Sequence, residues 1–576
     1  MSDETPLRVA ARRGFSVSYR GKTLLSTRDP IALAEGVVAA APKLRGPTLY
    51  FCPSPIYGYG LQFLLESIGG DSAALCVEAD KNLLALSKET IDRSILENPR
   101  FLLAHAGDGA ALAALVRKTW GSRRFRRVEQ LRLSGGWQLS PALYDALADT
   151  LRREIALDWG NAMTLVKLGR RYARNALRNL ALLPRAQALS ALDFGAAPVL
   201  VLGAGPSLDG FLDGLSMAFG DLSGGGGSFK IVCVDTALSS LYQRGIKPDL
   251  AVALESQHWN LRDFIGLGGW EIPLAMDLSA LCATGEMLGG HPCLFFTPWT
   301  GLNLLSRLKA ERLLPEEFPP LGSVGLSAAA IACRLSVGPI IAAGIDFSFT
   351  LDLTHARSAP AHLEGLRRQT RFCSPIDPAG AFRKGCCAAL SKTGESVRSN
   401  QTMKNYRDLF QREFAGLPDG SGRGGRVRDV AGSGLDLGLE TLSVEAACAV
   451  LAGGDRGGKT GARDRSASAT AAAEDTTKVM RGFVEAEIAA LKRLRGILAG
   501  ESTTGGESLG ALLDRSDYLW AHFPDCAGAG GRRPDETDLG FLKRIRAEID
   551  PFIKIFETLL LRLAGQDTRW EPVAQQ

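Results

Sequence analysis

The sequence predicts an α/β protein of several domains, and three observations predict it. Residues 199–209 read VLVLGAGPSLD, four apolar residues running into a glycine turn that opens a helix. Further short apolar runs end in acids: KIVCVD closes on Asp235, the next run closes on Glu255, and GPIIAAGID closes on Asp346. Upstream, TLYFCPS (48–54), a glycine turn with a helix, and AALCVEAD (73–80) repeat the pattern. Short continuous apolar runs are the mark of parallel strands buried on both faces. Carboxylates just past strand ends stand where open α/β sheets hold ligands.

Taken in order, GFSVSYRGKTLLSTRDP alternates around Arg20-Gly21, which predicts a hairpin within 8–30. Strands at 48–54, 73–80 and 101–108 (FLLAHAGD) complete an N-terminal α/β domain, residues 1–125. Its succession of strand, Gly58-x-Gly60, helix, strand and Glu78 resembles the methyltransferase-like Rossmann fold, in which Glu78 would reach a ribose. No catalytic signature follows 101–108, so the domain is read as degenerate or structural, with methyl transfer the lesser alternative. A helical connector, 126–190, follows: Ser140-Pro141 is a good helix start, and apolar residues recur at three and four up to 183. Asn175 and Asn179 lie one turn apart on one helix face, able either to reach a site or to bond neighbouring carbonyls.

The central domain, 191–445, carries the chemistry. Gly203 and Gly205 admit backbone angles closed to other residues, Ala204 lies between them, Pro206 suits a first helical position, and Ser207 adds a hydroxyl. Free N–H groups at such a helix start bind anions, so a nucleotide phosphate is one guest; a tight turn with no ligand is the other reading. Asp235 either bonds a ribose or base or caps the helix after it. His355 follows Asp346 in THARS, flanked by Thr354, Arg357 and Ser358, while His258 and Trp259 follow Glu255. The glycines of DLSGGGGS (221–228) predict a mobile insertion. Residues 359–400 lack periodicity and are read as a lid or acceptor-binding loop, NQTMKNYRDLFQREFA (400–415) as a helix, and 429–443 as a short strand with a turn.

Residues 446–475 are expected to be a disordered linker, rich in glycine, serine and charge; the Gly-Gly-Lys-Thr within it lacks a phosphate loop's spacing. The remainder, 476–576, is expected to be a helical domain with helices near 476–500, 507–523 and 537–564, suited to acceptor docking or self-association.

GAGPSLD, DTALSSLYQRGIKPD, GSVGLSAAA (322–330) and GIDFSFTLDLTHA (344–356) resemble the motility-associated factor (Maf) flagellin glycosyltransferases. That family shares its core domain with archaeal 6-hydroxymethylpterin diphosphokinases and is similar to bacterial CMP-sialic-acid transferases, with a Rossmann-like nucleotide fold. The resemblance covers roughly 190–445 and implies transfer of a nonulosonic acid from its CMP form to Ser or Thr of flagellin. It implies no cofactor and no metal. It places Gly203, Ala204, Gly205, Pro206, Ser207, Asp235 and Glu255 at the nucleotide, with Asp346 and His355 catalytic, His355 as base. Thr354, Arg357, Asn175 and Asn179 become sugar or acceptor contacts, the asparagines matching a pair that precedes the core in Maf proteins. Ala204 replaces an asparagine of the sialyltransferases, and Glu255 stands where Maf sequences more often carry aspartate. A histidine with a pKa of about 6.5 is largely neutral near pH 7 and so able to accept a proton. Two other readings are a diphosphokinase holding magnesium on Asp235, Glu255 and Asp346, and a non-catalytic flagellin-binding accessory protein.

Composition narrows the classes. At 576 residues the chain is expected to hold three or four domains, and 45% hydrophobic residues suffice for ordinary cores. A net charge of +5 with interspersed signs does not favour nucleic acid as a partner. Eleven cysteines, an odd number without a Cys-x-x-Cys pair, favour a reducing compartment. The start, MSDETPLRVAARRG, lacks the apolar core of a signal peptide, and no run approaches a membrane span. A cytoplasmic location is expected, with flagellin and a nucleotide sugar as partners and a homo-oligomer compatible with the helical tail.

Overall fold

The computed structural model describes all residues except 1–4, 43, 122, 289–291, 373–382, 419–424, 454–465, 502–505, 529–532 and 567–576. It divides into two compact units, Met1–Arg170 with Trp520–Asp538, and Arg171–Leu519 with Leu539–Gln576.

In the first unit, β1 (Leu7–Ala10), β2 (Phe15–Tyr19) and β3 (Lys22–Thr23) form a small antiparallel sheet. Arg20 and Gly21 between β2 and β3 both take positive φ (50° and 72°), the geometry of a tight two-residue hairpin. The main sheet is parallel, built from β4 (Thr48–Pro53), β5 (Ala73–Glu78), β6 (Phe101–His105) and β7 (Arg127–Gln130) in the order β6-β5-β4-β7. The edge strand β7 was not legible: RVEQ is polar and alternates no apolar face. The long helix α1 (Pro141–Asn179) begins after Ser140, as expected. Its Tyr144, Leu147, Ala148, Leu151 and Ile155 join Leu49, Phe51 and Leu75 in one core. That packing carries the unit to Arg170, past the boundary expected at 125.

The second unit is built on a nine-stranded parallel sheet. It contains β8 (Val199–Leu202), β9 (Lys230–Val234), β10 (Leu250–Ala253), β11 (Leu274–Asp277), β12 (Pro292–Phe296), β13 (Glu316–Glu317), β14 (Ile340–Ala343), β17 (Val427–Val430) and β18 (Thr441–Leu442). The order is β13-β12-β11-β10-β9-β8-β14-β17-β18. The chain leaves β8 for β9 on one side and later returns to β14 on the other. The α/β, Rossmann-like class is thus the observed one, and its strand order reverses between β8 and β14, where such sheets hold ligands. The helix α2 (Leu208–Phe219) follows β8, and α3 (Asn303–Ala310) follows β12.

The 359–400 stretch is not a plain loop. It contains α4 (Pro360–Arg367) and a hairpin of β15 (Cys386–Leu390) and β16 (Ser396–Asn400), whose antiparallel register runs from Cys386–Asn400 to Leu390–Ser396. Its 373–382 part lies outside the described residues. The expected linker is narrower too. The helix α5 (Val444–Ala452) is capped by Ser443, whose Oγ accepts from Ala446 N at 3.2 Å, and α6 (Ser466–Leu498) begins well before 476. Of that linker, 454–465 lie outside the described residues.

The C-terminal helices do not form a unit of their own. Glu487 of α6 is buried, and it accepts from Arg307 of α3 (Nη2 to Oε2, 3.1 Å) and from Arg515 (Nη2 to Oε1, 2.8 Å). The helix α7 (Leu539–Leu563) packs along α6. These contacts bind α6 to α3, the helix that follows β12, and α7 to α6. No helix among the described residues is long and apolar enough to cross a membrane.

Candidate functional site

The glycine turn after β8 sits against the turn after β14. Gly203 N donates to Ala343 O and Gly205 N to Gly344 O, each at 2.8 Å. A Cβ on Gly203 would collide with the Gly344 carbonyl, and one on Gly205 with the Asp346 carboxylate. The glycines are therefore required by the approach of two turns within the protein. Asp346 is buried and aims both oxygens at Ser207, accepting from Ser207 N (2.8 Å) and Ser207 Oγ (2.5 Å). Leu208 N donates to Gly205 O at 3.0 Å. The N–H groups of Gly205, Ser207 and Leu208, expected to be open to a phosphate, thus have acceptors inside the chain. Pro206 lies in the turn, before Ser207 and the helix start at Leu208. Asp346, expected to be catalytic, pins this turn; burial pushes its carboxyl up, and the Ser207 bonds oppose that.

Beside the turn lies a polar cluster past β9 and β10. Asp235, also buried, accepts from Thr236 N (2.8 Å) and Thr236 Oγ1 (3.2 Å) through Oδ1 and from Asn260 Nδ2 (2.7 Å) through Oδ2. Asn260 Nδ2 also reaches Asp263 Oδ2 at 3.3 Å. The other oxygens of Asn260 and Asp263 are buried and accept no hydrogen bond among the described residues, with Arg262 Nε 3.9 Å from Asp263 Oδ1. Burial, then the neighbouring Asp235, pushes the Asp263 carboxyl up to about 7. Glu255 is exposed, and its Oε1 accepts from Gln257 N at 2.8 Å. Its charge adds to the upward shift of both aspartates.

His355 lies near Arg262, the residue before Asp263. Ala356 N donates to Ala204 O (3.0 Å) and Arg357 N to Asp209 Oδ2 (2.7 Å), which straps the 354–357 segment across the glycine turn. His355 is half-buried, and its Nδ1 lies 3.2 Å from Thr354 Oγ1. Burial and then the Arg262 charge push its pKa down, so the ring is neutral and able to accept a proton. The structure therefore brings His355, Thr354, the Ala204 turn, Asp235 and Glu255 into one region.

It does not bring in the asparagines as sugar or acceptor contacts. Asn175 Nδ2 donates to the carbonyls of Ser256 (3.0 Å) and Ser279 (3.1 Å), and Asn179 Nδ2 to those of Leu278 and Ala280 (both 2.8 Å). Both side chains are buried, and they fasten α1 to the loops after β10 and β11. His258 and Trp259 are exposed, their ring centroids 4.3 Å apart. Asn260, Arg262 and Asp263 were missed; the signal was present, since NLRD directly follows the two aromatics and a strand-end acid. Among the described residues, no group of three or more His, Cys, Asp or Glu is placed to hold a metal ion.

Residues 171–352 match the family model described as 6-hydroxymethylpterin diphosphokinase MptE-like, which overlaps the 190–445 resemblance up to residue 352 and leaves His355 outside the match. The chain is similar over its length to an uncharacterized protein of Treponema pallidum (strain Nichols): 28% identity over 571 residues, 96% of this chain and 95% of the relative. It shares its fold with the MAf glycosyltransferase from Magnetospirillum magneticum AMB-1. That likeness has a TM-score of 0.54 at 15% identity and covers 99% of this chain and 94% of the other. The MptE-like resemblance is thus met by the core-domain model, and the likeness to the Maf protein is one of fold.

Proposed function

We propose that this chain is a glycosyltransferase that moves a nonulosonic acid from its CMP-activated form to a Ser or Thr hydroxyl of flagellin, in the cytoplasm and without a metal. The observation that carries this reading is the neutral His355, on a segment strapped across the Ala204 turn and near enough to Arg262 for that charge to lower its pKa. In the proposed step the acceptor oxygen bonds to the anomeric carbon. The bond from that carbon to the CMP phosphate breaks, its electron pair leaves with the phosphate, and His355 takes the hydroxyl proton. Arg262 and Arg357 supply positive charge for the departing phosphate, a role first sought in the turn's N–H groups. The unpartnered oxygens of Asn260 and Asp263 are acceptors for donor groups of the nucleotide.

The diphosphokinase alternative takes Asp235, Glu255 and Asp346 as magnesium ligands. Both oxygens of Asp346 and both of Asp235 already accept hydrogen bonds from the protein, which favours the transferase. Incubation of the full chain with CMP-nonulosonic acid and flagellin, read by intact mass, is expected to add sugar in the presence of a chelator. His355→Ala is expected to slow the addition by about 10²–10⁴-fold, the usual contribution of a general base. No added mass, or a reaction that needs ATP and magnesium, would overturn the reading.

A further inference from the structure

Three half-buried aromatic side chains, Tyr172, Trp299 and Tyr406, stand at the carboxyl end of the nine-stranded sheet, and the proposed transfer gives them no role. Asn175 fastens α1 to the carbonyls of Ser256 and Ser279, and Tyr172 lies one turn earlier on the same helix face, which sets it over the loops after β10 and β11. Trp299 follows β12. Thr297 N and Oγ1 both donate to Asp277 at the end of β11 (2.8 and 2.6 Å), which holds the Trp299 loop beside the other two. The ring centroids of Tyr172 and Trp299 are 5.8 Å apart. Tyr406, on the helix Gln401–Phe414, has its ring centroid 6.2 Å from that of Phe347, and a Cβ on Gly322 would meet its ring at 3.1 Å. Burial first, then the nearness of Glu255, Asp277 and Tyr406, pushes the Tyr172 phenol up to about 12. Glu255 acts in the same way on Asp235 and Asp263, so it links the aromatic group to the cluster assigned to the nucleotide.

The polar tips of these rings have no use within the protein. Among the described residues, neither the Tyr172 nor the Tyr406 hydroxyl makes a hydrogen bond, and Trp299 Nε1 is buried without one. Tyrosine hydroxyls and indole N–H groups removed from water ordinarily find a partner. Glu255 makes no ion pair among the described residues, and only its Oε1 is engaged, by Gln257 N. An indole N–H can only donate, a carboxylate can only accept, and the ring faces take apolar groups. An acylamido group answers all three: its carbonyl accepts, its amide N–H donates, and its alkyl end is apolar.

We infer that Tyr172, Trp299 and Tyr406 form a subsite for an acylamido group on the donor sugar, with the acyl carbonyl on Trp299 Nε1, the amide N–H on Glu255 and the alkyl end against the Tyr172 ring. The inference rests on the transferase reading for the identity of the donor. It makes the aromatic group the determinant of which sugar is accepted, while the cluster around Asp235 holds the nucleotide.

Calorimetric titration of the full chain with CMP, with CMP-N-acetylneuraminic acid and with the analogue that carries a hydroxyl in place of the acetamido group tests it. The acetamido donor is expected to bind roughly tenfold more tightly than its hydroxyl analogue. Trp299→Phe, which keeps a ring and removes the N–H, is expected to cut that preference about fivefold, the loss of about one hydrogen bond. Tyr172→Leu is expected to cut it by a similar factor, and CMP is expected to bind both variants as it binds the wild type, which also shows that they fold. No binding of either donor, equal affinity of the wild type for the two, a preference undiminished in either variant, or an equal loss of CMP affinity would each overturn the subsite. A donor bound with this preference but never transferred to flagellin would remove the transferase reading and leave the subsite standing.

Discussion

Asp263 holds its proton to about pH 7, against an ordinary aspartate value of about 3.9 in the unfolded chain. Between those two values the native state carries a proton that the unfolded state has lost. Stability therefore falls as pH rises through this window, and the loss is complete above about pH 7. Asp263→Asn has no such proton to lose. The melting temperature of the wild type, measured against that variant, is expected to decline between pH 5 and pH 8; parallel curves would show that the carboxyl titrates normally. The position of such acids was legible, because Asp235, Glu255 and Asp346 each follow a short apolar run. Their roles were not. Asp346 bonds Ser207 across 139 residues of sequence, and no local pattern shows which of two distant turns fills the other's N–H groups.

At the scale of elements, long periodic segments and continuous apolar runs were legible, and partner-dependent pieces were not. The strand Val199–Leu202 stands where VLVL predicts it, and α1 begins after Ser140-Pro141. The strands β11, β12 and β13 were not identified, and the two-residue β13 is defined only by its pairing with β12. The hairpin of β15 and β16 was hidden because CCAAL is exposed or half-buried throughout, with neither face buried. Asn175 and Asn179 were correctly seen to share a face of α1, yet burial makes them bolts. Asn179→Ala leaves the carbonyls of Leu278 and Ala280 without their donor. It is expected to cost about 1–3 kcal/mol for the unsatisfied groups, read as a lower urea midpoint at unchanged slope. A change under about 0.5 kcal/mol would mean that water reaches those carbonyls.

At the scale of the molecule, length predicted three or four domains, whereas the structure divides into two units, each discontinuous in sequence, since a helix that leaves the sheet in sequence can return to it in space. The tail from 476 onward looked separate because glycine-rich breaks surround it. One buried carboxylate reverses that inference: Glu487 is 1% exposed at its side chain, between two guanidinium groups that are each about a quarter exposed. Glu487→Gln removes the charge and leaves Arg307 and Arg515 facing each other. Breaking such a pair costs roughly 3–5 kcal/mol when fully buried, and the partial exposure of both arginines puts this case toward the lower end. Because α3 follows directly on the sheet strand β12, the destabilisation is expected to spread beyond the tail. Hydrogen exchange of the variant should accelerate in α6 and in β12 together. Acceleration confined to α6 and its helical neighbours would show a tail that unfolds by itself, with the Arg307 contact contributing little to the unit.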